Sequence, residues 1–477
     1  MIQKILLIMP PLDFESAPYF TYSLPVIASA LEKAGYKVEI LDFELYKHKI
    51  NKINLSELIL SKDFDIVGIS GLITSYAFIQ KIIHIIKKQY PKKKVILGGA
   101  LASSIPEHAL NIMGADIIVY REGVITIVNL MNALNTKQDL KSVKGIYYND
   151  SGKIIKTEPQ PLVRNLDEIP RAAYHLMDIE KYINHPNSIA GFKRNLPFVT
   201  SLGCTGRCTF CFITCGQGSY RMYSTTKIIN DMKFLIKEYK IRHFDFADDH
   251  FLVAKERVKE LCKEIINQKL KVTWSCASRA DSITPEIVEV IKKAGCVCVG
   301  IGIESGSQRI LDNMKKDIKV DQIKKALRIL RKAKLAHGGT MMFGMVGENK
   351  QTIRETIDFC KEMKHDTPFF WTTPYPGTEL YNNLKKEGKI KDEKEFFMQL
   401  SSAYKFVINL TEFSDEEVKW WKNYVQEQIK IPLFKNLMLR LKYKGLWNID
   451  FQIYDFLQRK LFPYKYFEYK YISKKES

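Results

Sequence analysis

The sequence predicts an α/β protein built from two successive series of strands and helices, followed by a helical C-terminal region. Apolar, strand-like segments alternate with amphipathic segments over residues 1–150, and the alternation resumes over residues 196–395. From about residue 396 the pattern becomes helical and rich in aromatic residues. Strands that alternate with helices of about 10–15 residues indicate parallel sheets covered by helices.

The first series predicts a doubly wound parallel sheet over residues 1–150. Its five strands are predicted at Ile5–Met9, Val38–Leu41, Ile66–Ser70, Val95–Gly98 and Ile117–Tyr120. Ligands of such sheets bind beyond the carboxyl ends of the strands. The residues that follow those ends here are unusually rich in Pro, Gly, Ser and Thr, notably Pro10, Ser70, Thr74, Gly98, Gly99, Glu122 and Gly123.

A proline-containing linker, residues 151–195, leads to the second series. Six strands with intervening helices over residues 196–395 predict a partial (β/α)6 barrel, an open relative of the eight-stranded barrel. Its strands are predicted at Phe198–Leu202, His243–Ala247, Val272–Ala277, Val297–Ile303, Gly339–Phe343 and Pro368–Thr373. Functional residues of such barrels lie at the C-terminal strand ends.

Composition limits the class of protein. The chain has 477 residues, 46% of them hydrophobic and 26% charged, and no apolar run approaches the ~20 residues that span a bilayer. The N-terminal apolar stretch is typical of a first strand and lacks a signal-peptide cleavage site. The nine cysteines show no disulfide framework, which predicts a reducing, cytoplasmic location.

The net charge of +20 comes from lysines scattered along the chain, so no nucleic-acid partner is expected. Residues 434–475 combine basic and aromatic side chains. This region, in the last part of the helical C-terminal region 396–477, could contact a membrane surface or an acidic partner. The interpretation we favour is that its aromatic residues pack inward and its lysines face water.

A cysteine-rich loop follows the first barrel strand. Cys204, Cys208 and Cys211 form a C-x3-C-x2-C pattern, and three closely spaced thiolates suit an iron–sulfur cluster better than four-ligand structural zinc. With three protein ligands, one iron of a 4Fe-4S cluster stays open to a substrate or cofactor. A zinc loop or a chance grouping remains an alternative. Cys215 could instead complete a fully protein-ligated electron-transfer cluster.

Polar residues also follow the later barrel strands. Asp248 and Asp249 could accept hydrogen bonds from a ligand or could cap a helix. Arg279 could pair with a carboxylate. Glu304 and Ser305 end an apolar strand, where a lone glutamate is usually a solvated cap.

The cysteine loop resembles the signature of the radical S-adenosylmethionine (SAM) enzymes. The stretches that begin at Gly300, Gly339 and Thr373 are similar to sequence blocks of the branch with an N-terminal cobalamin-binding domain. That branch includes anaerobic magnesium-protoporphyrin ester cyclases and methylases. The resemblance implies a 4Fe-4S cluster on the three cysteines and SAM contacts from Phe210, Asp248, Asp249, Arg279, Glu304 and Ser305.

The resemblance also implies cobalamin at the first sheet, contacted by Pro10, Ser70, Thr74, Gly98, Gly99, Glu122 and Gly123. Two departures stand out. Arg121 and Val124 replace residues of a Gly-Glu-Gly-Glu motif, and no D-x-H-x-x-G element supplies an axial histidine. His48, His84 and His108 do not fit that element and are expected to be surface or capping residues. Cobalamin would therefore bind without a protein histidine on its lower face.

The function implied is radical methylation of an unactivated centre of a small molecule, with a flavodoxin- or ferredoxin-type electron donor and low oxygen. No side chain is assigned as a general acid or base. A cyclase or rearrangement enzyme with the same cofactors is the alternative. A non-catalytic iron–sulfur electron-transfer protein is an alternative of a different class. A methylthiotransferase is disfavoured because residues 1–203 contain no cysteine for a second cluster.

Overall fold

The computed structural model describes residues 2–12, 18–184, 194–214, 216 and 218–431. Its first sheet has seven strands in the order β2-β1-β3-β4-β5-β6-β7. They are β1 Lys4–Met9, β2 Lys37–Asp42, β3 Ile66–Ser70, β4 Val95–Gly98, β5 Ile117–Val119, β6 Ile146–Asp150 and β7 Lys153–Lys156. The five predicted strands are present and parallel. The predicted α/β class is therefore confirmed.

An antiparallel hairpin, β6–β7, extends the sheet beyond what the sequence predicted. The hairpin crosses residue 150, the predicted end of the first domain. Its turn is the two-residue segment Ser151-Gly152, in which both residues are left-handed, with φ of +54° and +91°. The tyrosines and isoleucines on either side of this turn were the overlooked strand signal.

Both faces of the first sheet are covered by helices. On β1, Ile5, Leu7 and Met9 belong to one apolar core, and Leu6 and Ile8 belong to another. This continuous burial is typical of a parallel strand between two helical layers. The helices of this part are α1 Ser23–Lys33, α2 Leu55–Leu60, α3 Tyr76–Gln89, α4 Gly99–Ser104, α5 Pro106–Asn111 and α6 Gly123–Thr136.

The segment after β7 is packed against both sheets. It contains α7, Ile179–Ile183, and its buried Tyr174 and Tyr182 contact Phe20 of the first series. The Tyr182 hydroxyl donates a 2.5 Å hydrogen bond to Asp42 Oδ2. These apolar residues share one core with strands of both sheets, so the described parts of the two series form one packed body.

The second sheet has six parallel strands in the order β15-β14-β13-β12-β11-β8. They are β8 Asn195–Phe198, β11 His243–Phe246, β12 Thr273–Ser278, β13 Cys296–Glu304, β14 Ala336–Phe343 and β15 Phe369–Trp371. The predicted first strand, Phe198–Leu202, is divided between β8 and β9, Ser201–Gly203. β9 pairs with β10, Tyr220–Met222, in a separate antiparallel ribbon.

The helices of the second series lie on the outer face of its sheet. They are α8 Thr225–Tyr239, α9 Lys255–Asn267, α10 Pro285–Lys293, α11 Gln308–Asn313, α12 Val320–Lys332 and α13 Lys350–Glu362. On β13, Val299, Ile301 and Ile303 are buried toward this side. On the opposite, inner face, Ala277, Gly338 and Thr340 are exposed, so the partial barrel is open inside.

Between the second sheet and residue 431, where the described part of the chain ends, there are three helices: α14 Glu379–Lys386, α15 Glu393–Gln399 and α16 Asp415–Ile429. Phe397 of α15 packs against Tyr76 and His108 of the first series, with ring centroids 5.8 and 5.0 Å away. Within the described ranges, no helix is both long and apolar enough to cross a membrane. The predicted basic, aromatic tail and Cys215 lie outside the described residues.

Candidate functional site

The cysteine loop connects β9 to β10 at the C-terminal end of the partial barrel. Gly203 begins it with a φ of +88°, and a Cβ atom there would overlap the carbonyl oxygen of Ser219. The loop is also held from outside. The Thr209 N–H donates to Met314 O at 2.9 Å, and Thr209 O accepts from Leu380 N–H at 2.9 Å. The cysteines are thus fixed between α11 and α14.

The three cysteine side chains face one region. The Sγ atoms of Cys204 and Cys208 lie 3.5 and 3.9 Å from the position that a Cβ on Gly206 would occupy. Burial raises the pKa of the Cys208 thiol, while nearby Lys316 and Arg279 act to lower it. Burial also raises the pKa of Cys211 to about 12, and the charges of Cys208 and Asp249 add to this effect.

The donor set fits an iron–sulfur cluster in its chemistry. The three thiols are in mutual electrostatic range, and the positive charges of Lys316 and Arg279 favour the thiolate form of Cys208. In the part of the chain that the structure describes, no three His, Cys, Asp or Glu side chains already stand close enough to hold a metal ion. Because each thiolate of a 4Fe-4S cluster binds a different iron atom, the three side chains need not meet at one ion position.

Asp248 and Asp249 have different surroundings. Asp248 is 3% exposed and accepts hydrogen bonds from Thr200 N (2.6 Å), Thr200 Oγ1 (2.5 Å) and Ser201 Oγ (2.5 Å). Its oxygens hold the junction between β8 and β9. Asp249 is exposed, accepts a hydrogen bond from the Gly203 backbone and lies in electrostatic range of Cys211. Of this pair, Asp249 is the carboxylate directed to the cysteine loop.

Arg279 reaches the cysteine loop from the end of β12. Its Nη1 atom lies 3.4 Å from the Cβ position of Gly206, and its Nη2 atom donates to Asp281 Oδ2 at 2.8 Å. Nη2 also donates to the backbone oxygen of Asp317 at 3.3 Å. The guanidinium is thus held beside Cys204 and Cys208.

Glu304 lies over the inner face of the barrel. Its backbone is left-handed, with a φ of +63°, at a register shift between β13 and β14. The carboxylate accepts from Lys316 Nζ and Thr340 Oγ1, each at 3.2 Å. Gly302 makes room for this pair, because a Cβ there would lie 2.5 Å from Glu304 Oε1 and 3.0 Å from Lys316 Nζ. Strain of this kind is often retained where it orients a functional group.

Ser305 and Phe210 lie to the sides of this centre. Ser305 is 1% exposed, and its hydroxyl is 3.2 Å from Thr356 Oγ1 of α13. Gly306 beside it allows a close approach, since a Cβ would lie 2.8 Å from Thr356 Cα. A hydrogen bond of Ser305 thus connects the end of β13 to α13. Phe210 is half-buried and packs against the apolar core that contains Leu6 and Ile8 of β1.

The edge of the first sheet formed by the carboxyl ends of its parallel strands is called the ligand edge, and its backbone packs closely at Gly99. Gly99 has a φ of +80°, and a Cβ there would lie 2.6 Å from Ser70 Oγ. A Cβ on Gly98 would be in ordinary van der Waals contact with two backbone oxygens, 3.8 Å from Val119 O and 4.0 Å from Ile69 O. The Thr74 hydroxyl oxygen is buried and has no hydrogen-bond partner among the described residues. Pro10 lies beside Gly71. An unpartnered hydroxyl at Thr74 and a left-handed glycine at Gly99, both at this end of the sheet, would fit a polar ligand such as cobalamin.

The other two predicted residues, Glu122 and Gly123, begin α6 after β5. Glu122 binds Arg221 of β10, so it connects the first sheet to the cysteine loop. Gly123 packs closely on Ile27 and Val119. Gly377 makes a second connection, because a Cβ there would meet both the Phe212 ring, at 2.5 Å, and Ser104 Cβ of α4, at 3.2 Å. The cysteine loop therefore faces the ligand edge of the first sheet.

Sequence reasoning missed Lys316, Arg221 and Gly377. Lys316 lies beyond α11, and no periodic pattern marks a lysine that folds back over a strand. The glycine two residues before Glu304 was the available signal for a close approach at that point. Of the other cysteines that the structure describes, Cys262, Cys276, Cys296 and Cys360 are buried and Cys298 is half-buried. His48 and His84 are exposed, as expected. His108 is half-buried and bonds the Tyr76 hydroxyl.

Comparison with known families identifies both halves of the chain. Residues 198–360 match the Radical SAM superfamily, and residues 17–131 match the B12 binding domain. An uncharacterized methyltransferase of Pyrococcus horikoshii is 29% identical over 398 residues, which cover 80% of this chain and 84% of the relative.

The anaerobic magnesium-protoporphyrin IX monomethyl ester cyclase of Rubrivivax gelatinosus is 24% identical over 376 residues, which cover 76% of this chain and 66% of the cyclase. Among solved structures, the radical SAM methyltransferase TsrM of Kitasatospora setae, with cobalamin and a [4Fe-4S] cluster bound, superposes with a TM-score of 0.74. That match has 17% identity and covers 96% of this chain and 99% of TsrM. It shows a shared fold.

The chain is therefore a radical SAM enzyme with an N-terminal B12-binding domain. The cofactors of this class are a 4Fe-4S cluster, SAM and cobalamin. The predicted family, fold class and cofactors are confirmed at this level.

Proposed function

We propose that the protein is a cobalamin-dependent radical SAM methyltransferase that methylates an unactivated centre of a small molecule. The observation that carries the proposal is the position of the cysteine loop, which lies at the open end of the barrel and faces the ligand edge of the B12-binding domain. Similarity to a methyltransferase over 84% of that relative's length supports it.

The three cysteines Cys204, Cys208 and Cys211 would hold the cluster, and one iron would remain for SAM. Arg279 is placed to bind a carboxylate, and Lys316 to offset negative charge beside Cys208. Glu304 is oriented by Lys316 and Thr340 to accept a hydrogen bond from a ligand over the inner barrel face. When bound, the cluster and cobalamin supply the radical and methyl-transfer chemistry.

The domain assignment also remains a proposal: residues 1–150 for cobalamin, 151–195 as the connection, 196–395 as the radical SAM core and 396–477 as the C-terminal region. Ser70, Thr74, Gly98 and Gly99 are proposed to contact cobalamin. An anaerobic cytoplasm with a flavodoxin- or ferredoxin-type donor would suit an exposed cluster. A peripheral membrane contact would fall on the C-terminal region.

Product analysis tests the function. Protein reconstituted without oxygen with iron, sulfide and hydroxocobalamin is mixed with SAM and dithionite. A methyltransferase of this kind should form 5′-deoxyadenosine and also S-adenosylhomocysteine, because methyl donation from SAM leaves the latter. Cys208→Ala should lose the cluster and both products, whereas the buried-cysteine control Cys262→Ala should keep them.

The same measurement separates the alternatives. The similarity to the ester cyclase favours a radical cyclase as the second candidate, which should form 5′-deoxyadenosine without S-adenosylhomocysteine. A cluster with an EPR spectrum that ignores SAM and collapses on Cys215→Ala would instead indicate an electron-transfer protein. Either result would contradict the methyltransferase proposal.

A further inference from the structure

One ion pair joins the cysteine loop to the B12-binding domain. Arg221 lies on β10 opposite Leu202, two residues before Cys204. Its Nη1 atom donates to Glu122 Oε2 at 3.0 Å, and its Nη2 atom donates to Glu122 Oε1. The two side chains are 14% and 17% exposed, so water screens the pair little.

The pair also holds the segment that connects the two domains. Arg221 Nη1 donates to Val163 O at 2.6 Å, and the Val163 N–H donates to Glu122 Oε2 at 3.2 Å. Three parts of the chain therefore meet at two side chains: the end of β5, the connecting segment and β10. A bidentate guanidinium–carboxylate contact fixes orientation as well as distance.

A second contact lies on the other side of the cysteines. Phe212 follows Cys211 directly and packs on the Gly377 turn, which also packs on Ser104 of α4. The loop is thus held to the ligand edge of the first sheet at two points. One is Phe212, directly after the third cysteine, and the other is Arg221 on β10, which pairs with the strand that precedes the first cysteine. Such a two-point attachment constrains how the loop is oriented toward that edge.

We propose that Arg221 and Glu122 form a positioning pair that sets the separation and orientation of the iron–sulfur cluster relative to cobalamin. The inference rests on the proposed function and assigns neither side chain a direct role in chemistry. It predicts an effect on transfer between the cofactors, because a misplacement of about 1 Å can reduce a rate about 100-fold.

The test compares the double variant Arg221→Gln/Glu122→Gln with wild type. The neutral pair avoids the buried unpaired charge that either single removal would leave. Arg221→Lys is a second, milder variant that keeps the charge and loses the bidentate geometry. The matched control is Arg171→Gln, which breaks the 2.7 Å pair with Asp231 between the connecting segment and α8.

Each holo protein is measured in three ways: visible-band titration with hydroxocobalamin, pulsed EPR of the coupling between the reduced cluster and cob(II)alamin, and product formation. We expect both Arg221 variants to keep their iron content, 5′-deoxyadenosine formation and cobalamin affinity within about threefold. We expect the distribution of dipolar couplings between the cluster and cob(II)alamin to broaden. We also expect S-adenosylhomocysteine formation to fall at least about tenfold. Arg171→Gln should match wild type in all three.

Unchanged coupling in both Arg221 variants would overturn the inference and leave the proposed function standing. A loss of cobalamin affinity in the double variant, but not in Arg221→Lys, would also overturn it, since Glu122 would then be a direct cobalamin contact. If the wild-type protein takes up no cobalamin, the proposed function fails and the inference fails with it.

Discussion

At the scale of single residues, Asp42 shows how the ligand end of the first sheet depends on protonation. Its carboxyl is 8% exposed, and burial raises its pKa from 3.8 to about 6, partly offset by the Tyr182 hydroxyl. The folded state therefore favours the protonated form. The stability that this preference contributes is fully present below pH 3.8 and is lost as the pH rises through 6.

Replacing Asp42 with Asn should remove this dependence. The difference in unfolding free energy, variant minus wild type, should rise between about pH 5 and pH 7.5 by about 1.4 kcal/mol. One pKa unit corresponds to about 1.4 kcal/mol, and the folded-state pKa lies about one unit above the lower pH. Denaturant unfolding at the two pH values measures it. The exposed Asp63→Asn is the control, and an equal pH dependence in both variants would show that burial of Asp42 is not the cause.

At Gly203 the neighbouring backbone leaves no room for a side chain. A Cβ there would overlap the Ser219 carbonyl oxygen, which belongs to the backbone and cannot rotate away. We expect Gly203→Ala to lower the free energy of unfolding by about 3 kcal/mol or more and to prevent cluster reconstitution. Gly218→Ala is the matched control: φ is +80° and its Cβ would meet nothing within 4 Å. It should cost about 1 kcal/mol and keep the iron.

At the scale of elements, Asp248 holds the junction from which the cysteine loop starts. It satisfies three donors of Thr200 and Ser201. Asp248→Ala would leave these donors without an acceptor and would remove the carboxylate that lies 4.0 Å from the buried Arg257 cation, so a loss of about 3–5 kcal/mol in the free energy of unfolding is expected. Chemical denaturation of the apoprotein measures this loss.

Asp249→Asn provides the contrast. Its stability should change by less than about 1 kcal/mol, while the EPR response of the reduced cluster to SAM should weaken, since Asp249 faces the cysteine loop. The reverse pattern, in which Asp248→Ala is stable and Asp249→Asn unfolds, would show that the roles are exchanged.

Helices and strands could be predicted from the sequence wherever buried residues recur at regular intervals. Contacts between single residues that lie far apart in the chain could not. The strands and most long helices could be read from apolar alternation, because parallel strands between helical layers are apolar throughout. The three cysteines carried their own spacing signal. Glu122 and Asp248 were correctly placed at strand ends, but their partners Arg221 and Thr200 are 99 and 48 residues away in the chain. No local pattern encodes such pairings.

At the scale of the whole molecule, the C-terminal helices stabilise the B12-binding domain. Phe397 is 1% exposed and contacts Tyr76 of α3, so Phe397→Ala should cost about 3–5 kcal/mol. Hydrogen exchange should show the loss of protection in α3 as well as in α15. The neighbouring Met398 is 49% exposed, and Met398→Ala should leave exchange in α3 unchanged. A loss confined to α15 would mean that the domains are stabilised independently.

The hairpin at the margin of the first sheet has a consequence for solubility. β7 reads Lys-Ile-Ile-Lys, with both terminal lysines exposed and the isoleucines half-buried. Charged side chains along an unpaired strand discourage another chain from adding to it. The sequence thus protects a seven-stranded sheet against edge-to-edge aggregation at the place where a parallel α/β core would otherwise end in a bare apolar strand.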